Sequence, residues 1–177
     1  LADLFLPLLP GTDVALFHGL LHIMLWEGWT DTTYIAAHTS GFDELKALVR
    51  EYTPESVAQT CGLKKEDLFT AAKWFAGLDG QGFATRKPTL SLYCQGLNQS
   101  SSGTAKNATL INLHLATGQM GKPGAGPFSL TGQPNAMGGR EVGGLANLLS
   151  AHRDLANPAH RAEVAALWGV ADVPEKP

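Results

Sequence analysis

Leu115-Ala-Thr-Gly-Gln-Met-Gly-Lys-Pro-Gly-Ala-Gly-Pro-Phe-Ser-Leu-Thr-Gly-Gln-Pro-Asn-Ala-Met-Gly-Gly-Arg-Glu-Val-Gly-Gly-Leu145 decides how this chain is read. The stretch holds nine of the chain's 20 glycines and three of its 10 prolines. Glycine permits positive φ and close backbone approach, and proline fixes φ. Met120, Phe128, Leu130, Met137 and Val142 recur through it, so it is no low-complexity linker. It reads as a long ordered loop of unusual backbone shape. Such loops are uncommon in compact domains and often functional. A packed crossover between two helices is the alternative reading.

On either side, the segments alternate between strand-like and helix-like. Residues 1–9 form a short apolar run ending at Pro10-Gly11, which predicts a buried strand and a turn. Thr12 or Asp13 then caps a helix from Val14 to Glu27 that is apolar nearly all round, and such a helix is buried on most sides. His18 and His22 share a face of it; without a nearby carboxylate or cysteine they read as packed residues, not metal ligands. Short helices follow. Ser40 with Asp43 resembles a capping box, Thr53-Pro54-Glu55 opens a helix that Cys61-Gly62 closes, and Lys64 to Leu78 is amphipathic. Gly77 to Pro88 reads as a loop.

Thr89 to Cys94 alternates as a strand does, with Leu90, Leu92 and Cys94 on one face. A helical crossover makes it parallel to the first strand. Gly103 to Thr117 is a further helix, with Ala105, Ala108, Ile111 and Leu115 along one face and Gly118 as its stop. Asn157 caps a closing helix from Pro158 to Trp168, and the end from Val173 reads as a frayed tail. The predicted class is α/β, with parallel strands, helical crossovers and a long glycine-rich loop.

Composition bounds the function. A chain of 177 residues is about one domain; its net charge of -3 points to no nucleic-acid or membrane electrostatics. Charged residues make up only 16%, below the roughly 25% usual for soluble domains, so part of this surface should be covered by more protein. The all-round apolar helix 14–27 adds to that expectation. Cys61 and Cys94 lack motif spacing and fit a reducing compartment, and no apolar run is long enough to span a bilayer. Opening at Leu1 inside an apolar run, without an initiator Met, the chain reads as a piece of something longer.

Three places offer chemistry. A strand, a Pro-Gly turn and a helix start make an anion-friendly corner, where Asp13 can accept paired N–H donors such as a guanine edge; a plain helix cap is the alternative. The carboxyl end of strand 89–94 runs into Gln95-Gly96-Leu97-Asn98-Gln99, and strand ends of this kind are usual ligand sites in α/β sheets. Asn98 and Gln99 each bring a donor and an acceptor, with a locally bonded turn as the alternative. Arg140, the one cation between Pro123 and Asn147, can hold an anion through paired N–H donors, or pair with Glu141 or Asp154.

Cys94-Gln95-Gly96-Leu97-Asn98-Gln99, Asn112-Leu113-His114-Leu115-Ala116-Thr117-Gly118, Gly121-Lys122-Pro123-Gly124, Phe128-Ser129-Leu130-Thr131-Gly132-Gln133-Pro134-Asn135-Ala136 and Gly138-Gly139-Arg140-Glu141-Val142-Gly143-Gly144 occur in that order. Together with Pro10-Gly11-Thr12-Asp13 and Tyr52-Thr53-Pro54-Glu55 they resemble the molybdopterin-dinucleotide oxidoreductases, over nearly the whole chain. Within that superfamily the Leu-Thr-Gly-Gln-Pro and Gly-Arg-Glu-Val-Gly runs resemble nitrate reductases of the assimilatory and periplasmic type, with the assimilatory branch nearer. Formate dehydrogenases usually carry Arg where this chain has Thr131, and the family often has Met in place of Gln95.

The resemblance implies a segment of the central domains of such an enzyme, with molybdenum bis(molybdopterin guanine dinucleotide) as cofactor. Gly11, Asp13, Gly96, Asn98, Gln99, Gly132 and Gln133 would serve cofactor binding. Thr131, Arg140 and Gln95 would lie on the substrate side, with Gln133 facing it too. It also implies a [4Fe–4S] cluster and a metal-ligating Cys outside this chain, a C-terminal cofactor-binding domain, and a flavoprotein or ferredoxin electron donor. Nitrate is the implied substrate and the cytoplasm the implied location. This segment alone is expected to be inactive. A formate dehydrogenase or related oxyanion oxidoreductase is the second reading, and a non-catalytic nucleotide-binding or scaffold module the third.

Overall fold

Asp13–Trp26 forms helix α1, and its burial organises everything around it. Leu16, His18, Leu20, Leu21, His22, Ile23 and Met24 are all buried. A computed structural model describes residues 2–78, 86–130, 132, 135–143 and 148–176. The chain divides into two compact units, residues 1–130 and 131–177.

In the first unit α1 is followed by α2 (Thr32–His38), α3 (Phe42–Leu48), a 3-10 turn (Val49–Glu51), α4 (Pro54–Cys61) and α5 (Lys65–Phe75). Then come β1 (Leu90–Tyr93), α6 (Gln95–Asn98), α7 (Gly103–Ala116) and β2 (Gly126–Ser129). Helices α4, α5 and α7 pack against α1. Thr53 caps α4 as expected, its hydroxyl accepting from the Ser56 N–H. The capping box expected at Ser40 is absent: Gly41, in the left-handed region, stands at the cap position of α3 without a side-chain bond.

β1 and β2 pair in parallel, with Leu90 opposite Gly126, Leu92 opposite Phe128 and Tyr93 opposite Ser129. The α/β class with a helical crossover therefore holds, and the strand expected over Thr89 to Cys94 is β1, but its partner is not the one expected. Residues 2–9 form no strand: Pro7 and Pro10 lack donors, and Leu9 instead donates to the Cys61 carbonyl at 2.9 Å. Leu6 and Leu8 still pack on the core. The partner of β1 comes from inside the glycine-rich stretch, which is thus only partly loop.

The faces also differ from expectation. On α7 the buried residues are Gly103, Leu110, Leu113, His114 and Ala116, while Ala105 and Ala108 are exposed. On the sheet, Leu90, Leu92, Phe128 and Leu130 are 49%, 59%, 51% and 45% exposed, so an apolar sheet face stands open. Low charge was expected to signal surfaces that other protein covers. The sheet face is an open apolar surface of the kind that expectation calls for, whereas α1 is largely covered within this chain.

Most polar groups in the core are tied to backbone or to one another, Nδ1 of His18 and of His114 excepted. His22 Nδ1 lies 2.9 Å from the Val49 carbonyl and its ring stacks on Trp26; His18 meets the Tyr52 ring edge-on. Among the described residues no cluster of His, Cys, Asp or Glu could hold a metal ion. Arg86 donates to the carbonyls of Trp29, Ala76 and Thr30 at 2.7, 2.9 and 3.0 Å. Burial pulls its pKa down and the Asp31 carboxylate opposes that. Gln119, buried at the end of α7, accepts from the Thr89 N–H and donates to the Lys87 carbonyl. His114, fully buried, places Nε2 2.7 Å from Ser91 Oγ on β1 and sits edge-on to Phe75. Its Nδ1 has no hydrogen-bond partner among the described residues.

The second unit contains α8 (Ala136–Glu141), an antiparallel pair β3 (Leu148–Leu149) and β4 (Arg153–Asp154), and α9 (Pro158–Trp168). Asn157 caps α9 as expected, accepting from the Ala159 and His160 N–H groups. Arg153 holds both oxygens of Glu163. Val173 is buried with Leu149, Leu155, Val164 and Ala165, so the segment read as a frayed tail is anchored there.

Two outcomes follow from this packing. Apart from covering protein, the chain should self-associate through the open sheet face. Sedimentation at rising concentration should show growing mass, and Leu92→Thr with Phe128→Thr should shift the chain toward monomer. A wild-type monomer that binds no apolar dye would contradict this. The second outcome concerns acid. Desolvation pushes the His114 pKa down to about 4, with the Gln119 backbone opposing, against an ordinary value of 6.5. Between those values the unfolded chain binds more protons than the fold. Stability should therefore be intact above pH ~6.5 and fall by up to about 3 kcal/mol as pH drops through that window. Burial lowers the His18 pKa as well, with the same sign. Urea midpoints measured across the window should flatten in His114→Gln.

Candidate functional site

The sequence read as an anion-friendly corner folds as a turn pinned from three sides. Gly11 takes φ 83°, and a Cβ built there would meet nothing within 4 Å, so its near side is open. Thr12 holds the cap position of α1 but turns its hydroxyl back to the Leu9 carbonyl at 2.6 Å. The Cys61 thiol, its pKa raised chiefly by burial and further by the Asp13 carboxylate, donates to the Thr12 carbonyl at 3.7 Å. Asp13 is the first residue of α1 and makes no cap bond, so the capping role is corrected. Its carboxylate instead lies 3.6 Å from the ammonium of Lys106, in the first turn of α7.

That ion pair joins the Pro10–Asp13 turn to α7, the second helix after β1. Parallel pairing brings the carboxyl ends of β1 and β2 side by side. The Cys94 thiol donates to the Leu130 carbonyl at 2.6 Å, and Asn98 Nδ2 donates to Ser129 Oγ at 3.0 Å. Gln95 opens α6 and is half-buried; Gly96 has open space where a Cβ would stand; Gln99 is exposed, its backbone bonded to the Gln95 carbonyl. Leu97 anchors this short helix in the core. Gly103 is required by close approach, because a Cβ would stand 2.5 Å from the Asn98 carbonyl oxygen. The first turn of α7 therefore rests directly on the 95–99 segment.

Asp13, Lys106, Gln95, Asn98 and Ser129 thus belong to one unit and are linked through α7 and the strand ends. The carboxylate can take paired N–H donors, and the amides and hydroxyl can meet a heterocycle edge or a phosphate. The donor set suits a pterin nucleotide. Lys106 was missed by sequence reasoning, although it is the sole Lys, Arg, Asp or Glu on a helix that is otherwise uncharged and largely covered. Ser129 was noticed only as part of a longer run.

The remaining sequence-predicted residues fall in the second unit. Thr131 and Gln133 lie outside the described residues. Gly132 is exposed with open space at its Cβ position. Arg140 stands exposed in the last turn of α8. Among the described residues it makes no ion pair with Glu141 or with Asp154, whose Oδ1 accepts from the Ala156 N–H.

Comparison with known proteins gives these residues a context. The chain is 48% identical over 169 residues to a nitrate reductase of Synechocystis sp., covering 96% of this chain and 22% of that protein. It is 34% identical to the alpha subunit of a formate dehydrogenase of Methanococcus maripaludis, covering 94% of this chain and 23% of that one. Among solved structures, acetylene hydratase from Pelobacter acetylenicus matches with a TM-score of 0.55 and 27% identity, over 66% of this chain and 15% of that one. The chain thus spans about a fifth of the length of the curated relatives it matches. The family model for molybdopterin oxidoreductase matches residues 1–175, and the chain belongs to that family.

Proposed function

We propose that this chain is a segment of a molybdenum-dependent nitrate reductase of the assimilatory kind. In it, the segment helps hold molybdopterin guanine dinucleotide and lines the path of nitrate. The observation that carries the reading is the 48% identity to a nitrate reductase across 96% of the chain. Supporting it, the Asp13 carboxylate meets the first turn of α7 through Lys106, and the Asn98 amide meets the Ser129 hydroxyl at the strand ends. When bound, the cofactor supplies the two-electron chemistry that takes nitrate to nitrite.

The chain's own residues bind and orient. Asp13 accepts from the guanine edge. Gly11 and Gly96 leave room for close backbone approach, and Asn98 and Gln99 bond the dinucleotide or its pterin. The resemblance assigns Gly132 and Gln133 to cofactor binding as well. Gln95, where the family often carries Met, offers an amide to an oxyanion or to the pterin. On the substrate side, Thr131 is neutral and Arg140 draws the anion. The full protein would take electrons from a flavoprotein or ferredoxin through a [4Fe–4S] cluster held elsewhere in the polypeptide, in the cytoplasm. Among the described residues no helix is long and apolar enough to cross a membrane. The 34% identity to a formate dehydrogenase subunit supports a second reading, in which cofactor contacts persist and the substrate differs.

Arg140 separates these readings. A guanidinium can hold two nitrate oxygens at once, and lysine keeps the charge while losing that fork. In the full-length enzyme, Arg140→Lys should raise KM for nitrate more than it lowers kcat. The loss in kcat/KM should be about tenfold to a hundredfold, as expected for charge-assisted hydrogen bonds of roughly 1.5–3 kcal/mol. Arg140→Ala should be worse, with molybdenum content near normal. Steady-state kinetics with a reduced dye and metal analysis measure both. Loss of molybdenum, or wild-type nitrate kinetics, would make Arg140 a structural residue; turnover of formate in place of nitrate would favour the second reading.

A further inference from the structure

We infer that Lys106 is a positioning residue for the nucleotide, holding the Asp13 carboxylate in the orientation that receives the base. This rests on the reading of Asp13 as the acceptor for the guanine edge. The ammonium lies 3.6 Å from Asp13 Oδ2, longer than the 2.7–3.2 Å of a hydrogen bond. It fixes the direction of the carboxylate by charge and leaves the lone pairs of both oxygens open to incoming donors.

The two side chains are not equally free. The Lys106 side chain is 18% exposed and that of Asp13 34%, so the cation's stem is packed while the carboxylate keeps an open side. Ordering a long side chain costs conformational entropy, and here the helix packing has already met that cost before any ligand arrives. Helices α1 and α7 pack against each other, so the pair is set by two rigid elements. Lys106 also sits three residues after Gly103, in the same first turn by which α7 rests on the Asn98 carbonyl. One helix thereby registers both nucleotide-facing segments: Asp13 through the ion pair, and Asn98 through the backbone contact at Gly103. Asp13 makes no other ion pair among the described residues. A carboxylate without Lys106 would rotate freely and meet the paired donors of a guanine edge in only some of its orientations.

The test uses the full-length enzyme and reads bound nucleotide directly, as GMP released by acid per protein chain, alongside the melting temperature of the cofactor-free form. Lys106→Met should lower bound GMP by about threefold to tenfold, the scale of one partly covered ion pair. Melting of the cofactor-free protein should change little, and Lys106→Arg should restore most of the nucleotide. In an Asp13→Asn background, Lys106→Met should cause no further loss, because its effect runs through the carboxylate. Wild-type GMP content in Lys106→Met would overturn the inference. So would a loss that persists undiminished in the Asp13→Asn background, or one matched by an equal fall in cofactor-free stability that Lys106→Arg does not repair; either makes Lys106 a strut between helices. Failure of the underlying reading looks different: Asp13→Asn alone would then keep its full nucleotide. If Asp13→Asn loses nucleotide and Lys106→Met does not, the base contact stands and only the role of Lys106 falls.

Discussion

A helix that is apolar on nearly every side has to be surrounded, and the first unit is the solution to surrounding α1. Its buried stretch from Leu16 to Met24 needs cover on several faces, which α4, α5 and α7 supply. Each covering helix then fixes something else. The end of α4 brings the Cys61 thiol and carbonyl to the Pro10–Asp13 turn. The start of α7 brings Lys106 to Asp13, and its body carries His114 to Ser91 on β1. The hydrophobic requirement of one helix thus places the polar groups of the candidate site.

Burying backbone and polar groups around α1 has a cost that two side chains offset. An unpaired carbonyl in such a place costs about 1–3 kcal/mol. Arg86 alone satisfies three, at the ends of α1's following loop and of α5. Gln119 then uses both ends of its amide to fix residues 87–89 as they enter β1. His114 is the unresolved member of this set. It gives one nitrogen to Ser91 and leaves the other without a partner among the described residues, and burial keeps the ring neutral well into the acid range.

The helices were legible because their signals are local. Thr53-Pro54, Asn157-Pro158 and the apolar periodicity of α5 sit within a few residues of the effects they produce. The alternation of β1 was legible for the same reason, but its pairing was not, because pairing depends on a distant partner. An apolar run with Pro7 and Pro10 resembled a strand, while Gly126-Pro127 resembled a loop, and the structure reverses the two. Pro127 is harmless to the pairing for a geometric reason. The backbone bonds to β1 at either end of β2 come from Gly126 and Leu130, donating to Thr89 and Tyr93. In a parallel ladder alternate residues face the neighbour, so Pro127 lies on the side away from β1 and loses no bond there. Its missing donor also denies a full ladder to any strand arriving on the far side of β2.

The candidate site shows the same division. Asp13, Gln95, Asn98 and Gln99 stood out because polar residues after a strand or a turn are visible in one dimension. Their arrangement was not visible, because it depends on α7 packing simultaneously against α1 and the 95–99 segment. Gly103 makes that possible: any side chain there would collide with the Asn98 carbonyl and push α7 away. A shift of that kind would separate Lys106 from Asp13 as well, since the cation rides on the same turn. The glycine at the foot of α7 and the lysine three residues on are therefore a single device, and the position of each group in the candidate site depends on how closely two backbones can approach.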